Sequence, residues 1–169
     1  MPTDISSKNC ILNTEAANRK LRRMAFQIAE NNEGNESLLI AGINGNGLVL
    51  AERLVEELKQ IITTPIKLLT IHLNKKQPLD VSIDPKMDFS NQNIVIVDDV
   101  ANTGKTLLYA LKPFLNFQPK KIQTLVLVER SHKLFSIQPD YVGLSITTTL
   151  QEHITVETDG KVITGAWLH

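Results

Sequence analysis

Apolar positions along the chain follow two periods, and the switches between them mark out the elements. Leu21, Met24, Ala25 and Ile28 recur at i, i+3, i+4 and i+7, which predicts one helix face running from a Thr14 cap to about Asn32. The polar cluster Asn31-Asn32-Glu33-Gly34-Asn35 stops that helix, and its outer face carries Arg19, Lys20, Arg22 and Arg23. Ser37 to Ala41 is a short apolar run, the pattern of a strand buried on both faces. A glycine-rich turn, Gly42 to Gly47, leads into a second helix from Leu48 to Lys59, with Leu50, Leu54 and Leu58 on one side. Ile66 to Leu73 and Asn93 to Val97 read as strands, separated by the long polar stretch Asn74 to Gln92. A connection of that length in a compact domain serves function or is disordered. Thr103 to Phe117 reads as a helix, Lys121 to Val128 as a strand, and Tyr141 to Leu144 as a short strand. Thr158-Asp-Gly-Lys161 predicts a hairpin turn between Ile154–Glu157 and Val162–Ala166.

Strands alternating with helices predict an α/β fold with a parallel sheet, to which the late strands add an antiparallel edge or hood. With 169 residues the expectation is a single domain spanning residues 1–169, with a polar tail at 1–13 and a flexible loop at 74–92. A hydrophobic fraction of 42% and a charged fraction of 21% are those of a soluble globular protein. The formal net charge of +0 removes any global attraction to nucleic acid or anionic membranes. Cys10 is the only cysteine, so no internal disulfide can form and a reducing compartment is expected. The first residues lack the basic start and apolar run of a signal peptide, and no apolar stretch approaches the roughly 20 residues that span a bilayer. The expected location is the cytoplasm.

The chemistry concentrates in Ile94-Val-Ile-Val-Asp-Asp-Val-Ala-Asn-Thr-Gly-Lys-Thr106: a buried strand, two acids, a small-residue loop and a helix start. Ligands of open α/β sheets sit at the carboxyl ends of the strands, where this loop falls. Backbone N–H groups from Ala101 through Asn102, Thr103, Gly104 and Lys105 to Thr106 suit an anion. The Thr103 and Thr106 hydroxyls and the Lys105 charge add to that. Asp98 and Asp99 are wrong for a phosphate but suit ribose hydroxyls or a hydrated Mg²⁺. A nucleotide-triphosphatase P-loop is excluded, because that motif needs glycine five residues before Gly104 and Asp99 stands there.

Val97-Asp-Asp-Val-Ala-Asn-Thr-Gly-Lys-Thr106 resembles the phosphoribosyl pyrophosphate (PRPP) motif of type I phosphoribosyltransferases. Arg22 to Ala29, Gly42 to Leu54 and Val126-Leu-Val-Glu-Arg-Ser-His132 are similar to segments of the uracil phosphoribosyltransferases that double as pyrimidine operon regulators. Pro139-Asp-Tyr-Val-Gly143 also resembles a run in hypoxanthine-guanine phosphoribosyltransferases. The resemblance implies the type I fold, a parallel sheet flanked by helices with a small hood and a C-terminal β-hairpin. It places the ribose hydroxyls on Asp98 and Asp99, and the 5-phosphate on Ala101, Asn102, Thr103, Gly104, Lys105 and Thr106. It places pyrophosphate on Ile43, Asn44, Gly45, Asn46 and Gly47, with Lys75 and Lys76 as catalytic-loop cations. Tyr141 is expected to stack on the base, the Val142 backbone to read its edge, and Glu129-Arg130 to disfavour an oxopurine.

Two departures stand out. The regulators carry a Lys and an Arg in the pyrophosphate loop where this chain has Asn44 and Asn46, and the loop within 74–92 looks shortened. The activity implied is transfer of phosphoribosyl from Mg²⁺-PRPP to a nucleobase, uracil-like rather than oxopurine, possible slowness following from the neutral loop. The alternative is a nucleotide-sensing RNA-binding regulator of pyrimidine genes, its RNA contact the Arg19, Lys20, Arg22, Arg23 face. The resemblance also implies a homodimer or higher homo-oligomer and no membrane partner.

Overall fold

The computed structural model describes residues 8–169. Nine strands and three α-helices follow one another as β1 (Asn9–Asn13), α1 (Thr14–Asn31), β2 (Leu38–Ile43), α2 (Asn46–Ile61), β3 (Ile66–His72), β4 (Ser82–Asp84), β5 (Asn93–Ala101), α3 (Lys105–Ala110), β6 (Lys121–Arg130), β7 (Tyr141–Ile146), β8 (Ile154–Asp159) and β9 (Val162–Leu168). A 3-10 turn at Lys112–Asn116 follows α3.

The main sheet has the order β4-β3-β2-β5-β6-β7. All its neighbours are parallel except β4, which pairs antiparallel with β3. β2 and β5 are adjacent, with the chain progressing outward from each in opposite directions. Their carboxyl ends therefore flank the topological switch point, where open α/β sheets bind ligands. Every residue of β2 is buried, as is all of β5 except Val100, which accounts for their unbroken apolar runs.

Apolar side chains fill both faces of the sheet. On one face Leu21, Met24 and Ile28 of α1 and Leu50, Leu54 and Leu58 of α2 pack with Val95, Val97 and Leu125. On the other, Leu107 and Phe114 pack with Ile94, Ile96, Leu69 and Ile71. Burying a side chain of this size contributes roughly 1.5–3 kcal/mol, so these two layers set where the strand ends lie. A second sheet, β1-β9-β8, is antiparallel, and β8 is its outer strand.

Four expectations change. The polar tail at 1–13 ends in a strand, β1, whose partner β9 lies at the far end of the chain, Asn9 pairing with Leu168, so local pattern held no sign of it. Residues 1–7 of that tail lie outside the described residues. α1 is capped by Asn13, whose side chain accepts from Ala16 N–H at 2.8 Å; Thr14 instead donates to the Thr164 carbonyl. The expected helix from Thr103 to Phe117 is six residues long before a 3-10 turn, because Pro113 has no N–H and its ring would clash with the Tyr109 carbonyl. The polar stretch 74–92 holds β4 and a buried Phe89, set edge-on against Phe114 at 4.9 Å and Phe117 at 5.3 Å between ring centroids. Residues 73–81, with Lys75 and Lys76, and residues 85–92 are without regular structure on either side of β4, the second of these stretches being pinned by Phe89.

Candidate active site

A cavity of about 590 Å³ opens at the switch point. Its floor is the end of β5 and the loop beyond it: Asp98, Asp99, Val100, Ala101, Asn102, Thr103, Gly104, Thr106 and Leu107. Lys75 and Lys76 form one wall beside Asn46, and His153 to Val156 lie across the top.

Asp98 is 1% exposed and Asp99 8%. Lys75 Nζ lies 3.1 Å from one Asp98 oxygen and 3.4 Å from Asp99 Oδ1. Asp98 also accepts from the Asp99 N–H, and Asp99 from the Val100 N–H, each at 2.9 Å. Burial raises the Asp98 pKa well above the usual carboxylate range, the Asp99 charge raises it further, and Lys75 opposes both. Lys75 is the converse case. Burial alone would lower its pKa, but Asp98 and then Asp99 outweigh that and the net direction is upward. Gly47 is pressed against this centre: a Cβ there would lie 3.0 Å from Asp98 Oδ1 and 3.0 Å from the Val97 carbonyl.

Gly104 initiates α3 with φ at 84°, a left-handed conformation that disfavours side chains. A Cβ on Gly104 would come 2.9 Å from Ile137, so the crowding comes from the segment behind the loop. That segment grips the loop: Leu134 N–H and Phe135 N–H both donate to the Thr103 carbonyl, at 3.0 and 3.1 Å. Thr103 Oγ1 accepts from Lys105 N–H at 3.2 Å, while the Lys105 side chain does not border the cavity. Since α3 is short, its dipole adds little, and an anion here would depend on individual N–H groups and the Thr103 and Thr106 hydroxyls.

Magnesium fits the donor set. The ion prefers oxygen ligands, keeps several waters, and binds through one or two carboxylates plus substrate oxygens. The gap between Asp98 and Asp99 already accommodates the Lys75 ammonium. Among the described residues no group of three or more His, Cys, Asp or Glu gathers, so the remaining ligands would be water and substrate.

The residues expected to contact the base lie away from this cavity. Tyr141 opens β7 beside Leu125, toward the amino end of the sheet, away from the cavity. It is 3% exposed, donates to Gln123 Oε1 at 2.7 Å and accepts from Asn31 at 3.0 Å. Burial raises its pKa, a sign of a core phenol. Val142 follows it, its carbonyl accepting from Arg23. Glu129 is 5% exposed and its carboxylate is taken by Lys133 at 2.5 Å. Arg130 donates to the Glu152 carbonyl. None of the four borders the cavity.

The loop expected to meet pyrophosphate divides similarly. Ile43 is a fully buried core residue and Gly45, with φ at 88°, begins α2. Asn44 is turned toward β3, near Ile71 and Leu73. Asn46 alone of residues 43–47 borders the cavity, and its amide is bonded to β8. Sequence reasoning missed His153, Ile154, Thr155 and Val156. The hairpin turn after them was readable, but nothing local says that β8 crosses the switch point.

A model of the phosphoribosyl transferase domain matches residues 7–159. The chain belongs to the phosphoribosyl transferase domain family. It is a phosphoribosyltransferase with a type I fold. Bifunctional protein PyrR of Ligilactobacillus salivarius is 36% identical over 166 residues, covering 89% of this chain and 93% of the relative. The Bacillus subtilis protein of the same name is 33% identical, covering 92% of each. Among solved structures, a Trypanosoma cruzi hypoxanthine phosphoribosyltransferase with its product IMP superposes with a TM-score of 0.77 at 16% identity, covering 98% of this chain and 86% of that one. A Bacillus anthracis hypoxanthine-guanine phosphoribosyltransferase gives 0.70 at 21% identity, covering 82% of each. At these identities the two structures speak for the fold.

Proposed function

We propose that this phosphoribosyltransferase moves 5-phosphoribosyl from Mg²⁺-PRPP to a uracil-like base, releasing pyrophosphate. The observation that carries the reading is the single cavity bounded by two buried carboxylates, a phosphate-type loop and an overhead strand. Asp98 and Asp99 would accept from the ribose hydroxyls, displacing Lys75. The N–H groups of 101–106 with Thr103 and Thr106 would hold the 5-phosphate. The base would lie under His153 and Ile154. Bound magnesium would supply positive charge for the departing pyrophosphate.

Cleavage at an anomeric carbon passes through an oxocarbenium-like state. The chain's part is to position the reactants and stabilise charge. Asp98 and Asp99 place negative charge beside the ribose, and Lys75 and Lys76 are the cavity cations available to the leaving group. The Glu129 argument against an oxopurine no longer applies, because that carboxylate is bonded to Lys133. Preference for a uracil-like base rests instead on resemblance to the pyrimidine-type proteins, in keeping with 32–36% identity to the PyrR relatives.

The RNA-binding alternative rests on the helix face of Arg19, Lys20, Arg22 and Arg23 and on the bifunctional PyrR relatives. Arg19 is paired with Glu15 at 2.8 Å, and Arg23 donates to the Val142 and Gly143 carbonyls. Arg22 lies over the Phe26 ring, 5.8 Å from its centroid, while the Arg19–Glu15 pair is solvent-exposed. A pyrophosphate-release assay with PRPP and Mg²⁺ against uracil, cytosine, hypoxanthine and guanine tests the proposal. Uracil-dependent release is expected; release with a purine base alone, or with none, would overturn it.

A further inference from the structure

β8 is the outer strand of the small sheet, yet its free edge is not free. In an antiparallel pair, alternate residues turn both N–H and C=O to the same side. His153 exchanges two backbone hydrogen bonds with His169, so the groups of Glu152, Ile154 and Val156 turn the other way, toward the main sheet. Each of those three carbonyls accepts from a side chain. Arg130 donates to Glu152 O, Asn102 Nδ2 to Ile154 O at 3.2 Å, and Asn46 Nδ2 to Val156 O at 2.8 Å. The Asn102 amide also accepts from Ile154 N–H at 3.4 Å, and the Asn46 oxygen accepts from the Thr158 hydroxyl at 3.0 Å.

The three side chains leave three neighbouring strands. Asn46 follows β2, Asn102 follows β5, and Arg130 ends β6. Adjacent strands are about 4.8 Å apart and alternate carbonyls about 6.8 Å apart. A strand lying across the sheet's carboxyl end can therefore take one contact from each strand beneath it. The hood thus hangs on a ladder of side chains where a further β-strand would otherwise pair.

We propose that Asn46, Asn102 and Arg130 are positioning residues that set the height and register of β8 above the cavity, and so determine which base fits beneath it. This rests on the reading that the base lies under β8. It also reassigns Asn46. Both ends of its amide are engaged by the hood, so it acts on the base side and does not bind pyrophosphate.

The test compares Asn46→Ala, Asn102→Ala and the milder Thr158→Val, which removes only the hydroxyl that orients Asn46. Losing one such hydrogen bond is expected to raise KM for the base about fivefold, with a smaller rise for Thr158→Val. The ratio of uracil to hypoxanthine use should fall in each. The Kd of PRPP, measured without base, and of pyrophosphate should change less than twofold for Asn46→Ala. Weakening of pyrophosphate binding as large as the rise in base KM would overturn the proposal, as would an unchanged base KM in all three. A second readout separates this from the catalytic reading. Amide hydrogen exchange at Ile154, whose N–H donates to Asn102, should quicken at least tenfold in Asn102→Ala while β5 amides stay protected. Quickened exchange in Asn102→Ala, together with a wild-type chain that uses no base, would uphold the ladder and sink the proposed function; unchanged exchange in the variant would sink the ladder.

Discussion

The ends of β5 and β6 are neighbours in the sheet, and each carries a buried carboxylate beside a lysine, but the two pairs do different work. At β5, Asp98 meets Lys75, which comes from an irregular segment and is 45% exposed. Asp98 must also share its space with a second acid, Asp99. At β6, Glu129 meets Lys133, and both are 6% exposed, with Gln138 Nε2 at 3.5 Å completing the set. The first pair faces a cavity and can exchange its cation for a ligand. The second is sealed behind the loop that carries Gly104 and has nowhere to send its charge. A site needs unsatisfied chemistry held in place, and its scaffold needs satisfied chemistry.

The largest effect follows from removing the exchangeable acids. Asp98→Asn with Asp99→Asn should weaken PRPP binding on the order of 10²–10⁴-fold, two charge-assisted contacts being lost. Calorimetry with unchanged affinity would show that the ribose is held elsewhere. The same change should make the chain more stable. Asp98 has a folded pKa raised above its unfolded value, so its contribution is fully present below the unfolded pKa and is lost as pH rises through the folded one. Above its folded pKa the ionised, crowded carboxylate therefore works against folding. In a chelator, Asp98→Asn should melt higher than wild type at pH 7.5, and the gap should close toward acid. A lower melting temperature at neutral pH would mean that Lys75 offsets the burial of Asp98 completely.

Glu129→Gln should move stability the other way, by about 3 kcal/mol, because Lys133 is left buried without its counter-charge. Denaturant unfolding measures it, and Glu129→Met with Lys133→Met should recover most of the loss. If Glu129→Gln instead melts like wild type but alters base preference, Glu129 reaches the substrate and the contrast between the two pairs fails.

The legibility of these regions in sequence follows the range of the interactions. The strand, acids, small-residue loop and helix start of β5 occupy thirteen consecutive positions, so pattern and resemblance both found them. The parallel sheet was readable from fully buried runs such as Leu38–Ile43. What escaped depends on distant partners. Asn46 and Val156 are 110 positions apart, and Asn102 and Ile154 are 52 apart. The family resemblance suggested a pyrophosphate ligand for the glycine-rich loop, and no local signal says that the Asn46 amide is engaged by a hood. β1 was unreadable for the same reason, its partner being the last strand.

Tyr141 gives the smallest effect and tests the contrast furthest from the cavity. Its surroundings, Pro139-Asp-Tyr-Val-Gly143, suggested a base-stacking aromatic, while its position suggests a core residue with a satisfied hydroxyl. The two roles predict different responses to Tyr141→Leu, which keeps apolar bulk but removes the ring and the hydroxyl. As a stacking residue it would contribute roughly 1–3 kcal/mol to nucleotide binding, so the substitution would cost about tenfold or more in affinity. As a core residue it loses the bonds to Gln123 and Asn31, stranding partly buried amides, and the cost of about 1–3 kcal/mol appears in unfolding. Expected, then, is a lowered denaturant midpoint with nucleotide affinity within twofold of wild type. His153→Ala is the mirror experiment, since His153 borders the cavity and its backbone pairing with His169 survives the change. It should weaken the nucleotide more than ribose 5-phosphate and leave the unfolding midpoint close to wild type. If Tyr141→Leu weakened the nucleotide while His153→Ala did not, the base would lie near β7, and the cavity under β8 would have to be given up as its site.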